Sequence, residues 1–107
     1  MVAVDRRAET MYAVAYGELD RSNADAFSDQ FELLLAERFR RIVIDPRRVS
    51  FIDAGGVRAL LFARKRSAQH GVELALIKGA PDIERVLAAA GVEQQLRLVE
   101  LNATDWT

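Results

Sequence analysis

The chain has 107 residues, half of them hydrophobic, with a formal net charge of −1 and no cysteine. That length suits one domain with a true core, and the near-neutral charge lacks the general electrostatic pull on nucleic acid. The absence of cysteine excludes disulfides, thiol catalysis and the usual zinc sites. No stretch is long and apolar enough to span a membrane, and "MVAVDRRAET" has no apolar secretory core, so a cytoplasmic location is expected.

In chain order, "VAVDRR" and "MYAVAYG" are β-prone runs split by a polar turn, which predicts an antiparallel pair. "GELDRSN" punctuates them, and Ser22 or Asn23 is expected to cap the first helix. In that helix Phe27, Phe31, Leu34, Leu35 and Phe39 recur at the spacing of one buried face. "RIVID" reads as a buried strand closed by Asp45 and stopped by Pro46. "VSFID" then reaches a corner made of Asp53, Ala54, Gly55 and Gly56. A helix over about 55–70 is predicted to bury Val57, Leu60, Leu61 and Ala68 and to stop at Gly71. "VELALI" is another buried strand. "APDIERVLAAAG" is a helix opened by Pro81, expected to bury Ile83, Val86, Leu87 and Ala90 before Gly91. "QLRLVEL" reads as a last strand or turn, and residues 101–107 as a frayed tail unless Trp106 docks. The order β-β-α-β-α-β-α-β predicts a single α/β domain over residues 1–107, a mixed, largely parallel sheet with helices packed on it.

The Asp-Ala-Gly-Gly corner is built to bring backbone close to something else. A phosphate-binding loop is one reading, because free helix N–H groups attract anions. Neither glycine-rich nucleotide signature is present, however, and Asp53 would repel a phosphate. A tight strand-to-helix corner accounts for the same residues. The one histidine, His70, precedes Gly71 at a helix end, where the helix dipole suits it, and no serine stands in a nucleophile elbow. No enzyme activity and no cofactor are expected. Asp20, Asp45 and Asp53 all stand at element ends. They either cap helices and turns or converge to hold a cation. On the helix after the corner, Arg58, Phe62, Lys65 and Gln69 align at i, i+4, i+7 and i+11, opposite the core stripe. Lys65 and Arg66 read as a solvated face. Phe62, flanked by Arg58, is either an interface anchor or a single exposed hydrophobe of the common kind.

The element order and four local motifs together resemble the STAS domain, the fold of bacterial anti-sigma-factor antagonists. "GELD" matches the family's G-x-L-D turn, "IVIDPRRVSFID" its central strand and approach, "DAGGVRALL" its D-S-[S/T]-G and leucine-rich helix, and "KGAPDIERVLAAAGVEQQL" its last helix. In the family, the serine after that aspartate is phosphorylated by a partner kinase that is also the anti-sigma factor. The unphosphorylated antagonist binds that kinase and frees the sigma factor. The phosphorylated one lets go, since a phosphate adds nearly two charges beside a carboxylate.

In this chain the corresponding positions are Ala54 and Gly55, which offer no hydroxyl. If the family's serine caps the helix, its loss costs about 0.5–2 kcal/mol. The resemblance implies a partner-binding surface of Asp20, Asp53, Ala54, Gly55, Gly56, Arg58, Phe62 and Lys65, with Arg58 and Phe62 standing where the family usually has small residues. The implied partner is an anti-sigma factor and serine kinase of histidine-kinase-like ATPase fold, without nucleic acid or membrane insertion. A scaffold or accessory subunit of a stress-signalling complex or lipid-transport ATPase is the alternative. A small-ligand or nucleotide sensor rests only on the acidic residues and the helix terminus. Phosphorylation of Ser50 or Ser22 would restore switching by another route, and edge strands leave pairing of two copies open.

Overall fold

A computed structural model describes residues 2–7 and 9–99 of the chain. The elements are β1 (Val2–Arg7), β2 (Thr10–Leu19), α1 (Ala24–Ala36), β3 (Arg41–Ile52), α2 (Ala54–Gln69), β4 (Glu73–Ile77), α3 (Pro81–Ala89), α4 (Val92–Gln95) and β5 (Arg97–Val99). They form one five-stranded sheet in the order β1-β2-β3-β4-β5. β1 is antiparallel to β2, and every later neighbour pair is parallel. This is the mixed, largely parallel α/β architecture read from the sequence. The tail beyond Val99, with Trp106, lies outside the described residues.

A sequential strand order joined by crossovers of one hand places successive helices on the same face of the sheet. The core agrees with that arrangement. Phe27, Phe31, Leu34 and Leu35 of α1, Leu60 of α2, Ile83 and Leu87 of α3 and Val92 of α4 join Ala13, Ile42, Ile44 and Leu76 of the strands in one buried cluster. The alternate residues Val43, Ala75 and Ile77 make a smaller cluster with Tyr12. All five apolar positions expected on α1 and the turn after it, through Phe39, are buried.

The structure departs from the sequence reading at four places in the fold. β3 does not stop at Pro46 but continues to Ile52. Its register against β2 slips between Val14 and Tyr16 and again between Gly17 and Glu18. These bulges absorb extra β3 residues, and beyond Ile44 no pairing with β4 requires the amide that proline lacks. On α2 the buried stripe includes Ala63 and Ser67, while Ala68 is exposed and Leu61 half-buried. Ser67 is accommodated because its hydroxyl donates to the Ala63 carbonyl at 2.8 Å. On α3, Val86 and Ala90 face solvent, and only Ile83 and Leu87 are buried. A short helix meets the sheet through a narrow seam, so one residue per turn suffices. Finally, Gly91 adopts a left-handed φ of 74° and leads straight into α4, an element the sequence reading did not include.

Candidate functional site

The site is the place where two connections meet: the β2–α1 turn and the β3–α2 corner. The first turn folds on itself. Gly17 has a φ of 80°, which only glycine adopts without strain. Asp20 Oδ1 accepts from the Ser22 amide at 2.9 Å and from its hydroxyl at 2.6 Å. Asn23 Oδ1 accepts from the Asp20 amide at 2.9 Å, while Asn23 Nδ2 donates to the Glu18 carbonyl at 2.6 Å. Asn23 therefore occupies the N-cap position of α1 but makes no side-chain cap. Its amide is spent on holding the turn. Neither Asn23 nor Ser22 caps the helix in the expected way.

The second connection is capped by Asp53, whose Oδ1 accepts from the Gly56 amide at 3.1 Å. Its other oxygen, Oδ2, accepts from the Arg21 amide at 3.3 Å, and the Asp53 amide donates to the Leu19 carbonyl at 3.4 Å. One carboxylate thus serves both turns. The Gly56 amide, opposed by partial burial and helped by the Arg21 and Gly55 amides, holds the Asp53 carboxyl below its usual range. Ala54 is the first residue of α2 rather than its cap, so a hydroxyl there would not be the capping group, and the stability loss considered for Ala54 does not arise.

The glycines explain how closely the two connections approach. A Cβ on Gly56 would lie 2.1 Å from the Leu19 carbonyl oxygen and 2.8 Å from Ile52 Cγ1. One on Gly55 would lie 2.8 Å from Arg21 Cα. What the corner comes close to is the chain's own β2–α1 turn. Gly55 and Gly56 are buried, whereas Ala54 at the tip is exposed.

The three aspartates do not converge. Asp20 closes its own turn, Asp53 caps α2, and Asp45 is held by Arg47 within the β3 bulge, with Nε to Oδ1 at 2.9 Å and Nη2 to Oδ2 at 2.8 Å. Burial pushes the Asp45 carboxyl upward, but the Arg47 hydrogen bonds and charge outweigh it, so its pKa is lowered overall. Among the described residues no cluster of His, Asp or Glu could hold a metal ion. His70 caps the C-terminus of α2 and its Nδ1 lies 2.9 Å from the Arg66 carbonyl.

Beyond the tip, Arg58, Phe62, Lys65 and Gln69 are all exposed along α2, as their spacing predicts. Phe62 keeps 47% of its surface in solvent. Between α1 and α2 runs a groove of about 470 Å³ lined by Arg21, Ala24, Asp25, Ser28, Gly55, Arg58, Ala59 and Phe62. At its far end α1 and α2 are clamped by Arg66, which donates through Nε to Glu32 Oε1 at 2.5 Å and through Nη2 to Oε2 at 3.2 Å. Arg21, Ala24, Asp25, Ser28 and Ala59 were not legible as site residues. The one local signal is the small side chains at 24 and 59, which leave the groove open.

Lys65 stands on the same exposed stripe of α2, outside the groove lining. The arrangement can present backbone, a methyl group, an aromatic ring and cations. Its Ser22 hydroxyl is spent on Asp20 Oδ1 in closing the β2–α1 turn.

The STAS domain family model matches residues 2–104. A STAS-domain containing protein of Pseudomonas aeruginosa is 26% identical over 82 residues, covering 77% of this chain and 80% of its own. The fold is shared with an anti-sigma factor antagonist of Mycobacterium paratuberculosis, at a TM-score of 0.84 and 18% identity over 98% of this chain and 88% of that one. It is shared too with the Bacillus cell fate determinant SpoIIAA in its phosphorylated form, at a TM-score of 0.71 and 17% identity over 98% of this chain and 95% of that one. The chain belongs to the STAS domain family.

Proposed function

We propose that this chain is a protein-binding regulatory module of the anti-sigma-factor-antagonist kind, and that it docks on an anti-sigma factor with a histidine-kinase-like ATPase fold without being phosphorylated at the usual corner. The observation that carries this reading is the corner itself. Asp53 pins it to the neighbouring turn, and its exposed tip is the Ala54 methyl group, to which no phosphoryl group can be attached. SpoIIAA, which shares the fold, has a phosphorylated form. An alanine at the tip keeps the surface in the unmodified state whatever kinase is present. The docking surface is the rim formed by the β2–α1 turn around Asp20, by Asp53 and Ala54, and by the α2 stripe of Arg58, Phe62 and Lys65. Gly55 and Gly56 shape that rim from beneath. The protein acts by binding, not by catalysis, and the cytoplasm, where such partners reside, is its proposed location.

The test uses a purified anti-sigma factor of histidine-kinase-like ATPase fold from the same organism. The expected result is a complex that survives added ATP, with intact mass showing no phosphate on the STAS chain. Phosphate on Ser22 or Ser50 together with release of the partner would replace this reading with a switch at another site. Co-purification with a transporter ATPase instead would favour the accessory-subunit role.

A further inference from the structure

We infer that the α1–α2 groove is built for an acidic segment of the partner, one that sets a carboxylate between Arg21 and Arg58 and an apolar side chain against Phe62. This deepens the docking reading above and rests on it. The argument is one of leftover charge. Around the groove the acids are already occupied: Asp20 by Ser22, Asp53 by the Gly56 and Arg21 amides, and Glu32 by Arg66. The cations are not. Among the described residues Arg21, Arg58 and Lys65 make no close ion pair and all three are exposed, the Arg21 charge acting on Asp53 only at longer range. Asp25 is the one acid in the groove lining, and it stands in the first turn of α1, where the helix dipole favours it.

The spacing sets the occupant further. Arg58 and Phe62 are one helical turn apart on the same stripe, which puts their Cβ atoms about 6 Å apart. A partner helix with Asp or Glu one turn from Leu, Met or Phe matches that pair, while Ala24, Gly55 and Ala59 leave room for its backbone to approach. An exposed arginine cannot be neutralised by proton loss, so a basic partner segment would meet uncompensated repulsion.

Two amphipathic helical peptides with one leucine pattern, carrying glutamate or lysine at the charged positions, are the probes. Binding is followed by amide chemical shifts and by anisotropy at several salt concentrations. The expected result is that the glutamate peptide perturbs Arg21, Ser28, Arg58 and Phe62 and weakens steeply with salt. Arg21→Glu with Arg58→Glu should weaken it by roughly tenfold or more and admit the lysine peptide, whereas Arg85→Glu on α3 should change nothing. Equal affinity for the two peptides, no binding of either, or perturbations outside the groove would overturn the inference. If the charge-reversed protein still forms the anti-sigma complex, docking stands and only the acidic occupant falls. Binding of the glutamate peptide without any anti-sigma complex separates the two the other way.

Discussion

Arg21 and Asp53 lie 32 residues apart, and the amide of the first donates to Oδ2 of the second at 3.3 Å. That bond closes a small ring of contacts in which Asp53 caps α2 with one oxygen and holds the β2–α1 turn with the other. The corner that presents Ala54 is therefore fastened from two sides, and its shape does not depend on a partner.

Gly56→Ala should be strongly destabilising. In an ordinary helix the change would stabilise by about 0.5–1 kcal/mol, because glycine is the worse helix former. Here the added methyl meets the Leu19 carbonyl oxygen at 2.1 Å, which backbone cannot yield without opening the corner. We expect the overpacking to win, with a net loss of roughly 1–3 kcal/mol in chemical denaturation. A more stable variant would show that the corner is looser than described.

Phe62→Asp should abolish the partner complex and lower stability by less than about 1 kcal/mol, since the ring is half exposed and aspartate is only a modestly worse helix former. Phe27→Ala is the contrasting control. That ring is 2% exposed and its loss should cost about 3–5 kcal/mol. A collapse of Phe62→Asp comparable to Phe27→Ala would place Phe62 in the core and remove it from the docking surface.

Ala54→Ser should fold as well as the parent, because position 54 is exposed and is not the cap. With the anti-sigma kinase and ATP, the serine variant should gain phosphate and lose the complex while the parent keeps it. The new charge and bulk would stand beside Asp53 on the proposed docking surface, where they would oppose the partner's approach. A serine variant that is phosphorylated yet remains bound would mean that the tip is not in the interface.

Acid should weaken the fold through particular carboxylates. Glu32 is held below its usual range chiefly by its Arg66 hydrogen bonds, and Asp53 by the Gly56 amide. Their folded pKa values lie below the unfolded ones. The stabilisation is thus complete above the ordinary carboxylate range and is lost as pH falls through the folded values. Asp53→Asn keeps a capping oxygen but removes the titration. The melting temperatures of Asp53→Asn with Glu32→Gln and of the parent should therefore draw together on acidification, because the parent alone loses this contribution. A constant gap from neutral to acid pH would show that these groups are not the linked ones.

The strand and helix order apart from α4, the phenylalanine stripe of α1 and the exposed stripe of α2 were legible from spacing, because periodicity of 2 or 3.6 residues is a local property that each segment carries alone. So was the missing hydroxyl at Ala54. Other features were not. Pro46 reads locally as a strand breaker, and only the absence of β4 beside that part of β3 lets the strand pass through it. Asn23 reads as a cap, but the Glu18 carbonyl and Asp20 amide claim its side chain. Gly55 and Gly56 announce a close approach without saying to what. Their counterpart, the Leu19–Arg21 backbone, lies more than 30 residues away in sequence. Fold class and the chemistry missing from the corner could thus be read along the chain. Which groups fill each other's space emerged only where distant segments pack, because a contact between such segments leaves no period in either of them.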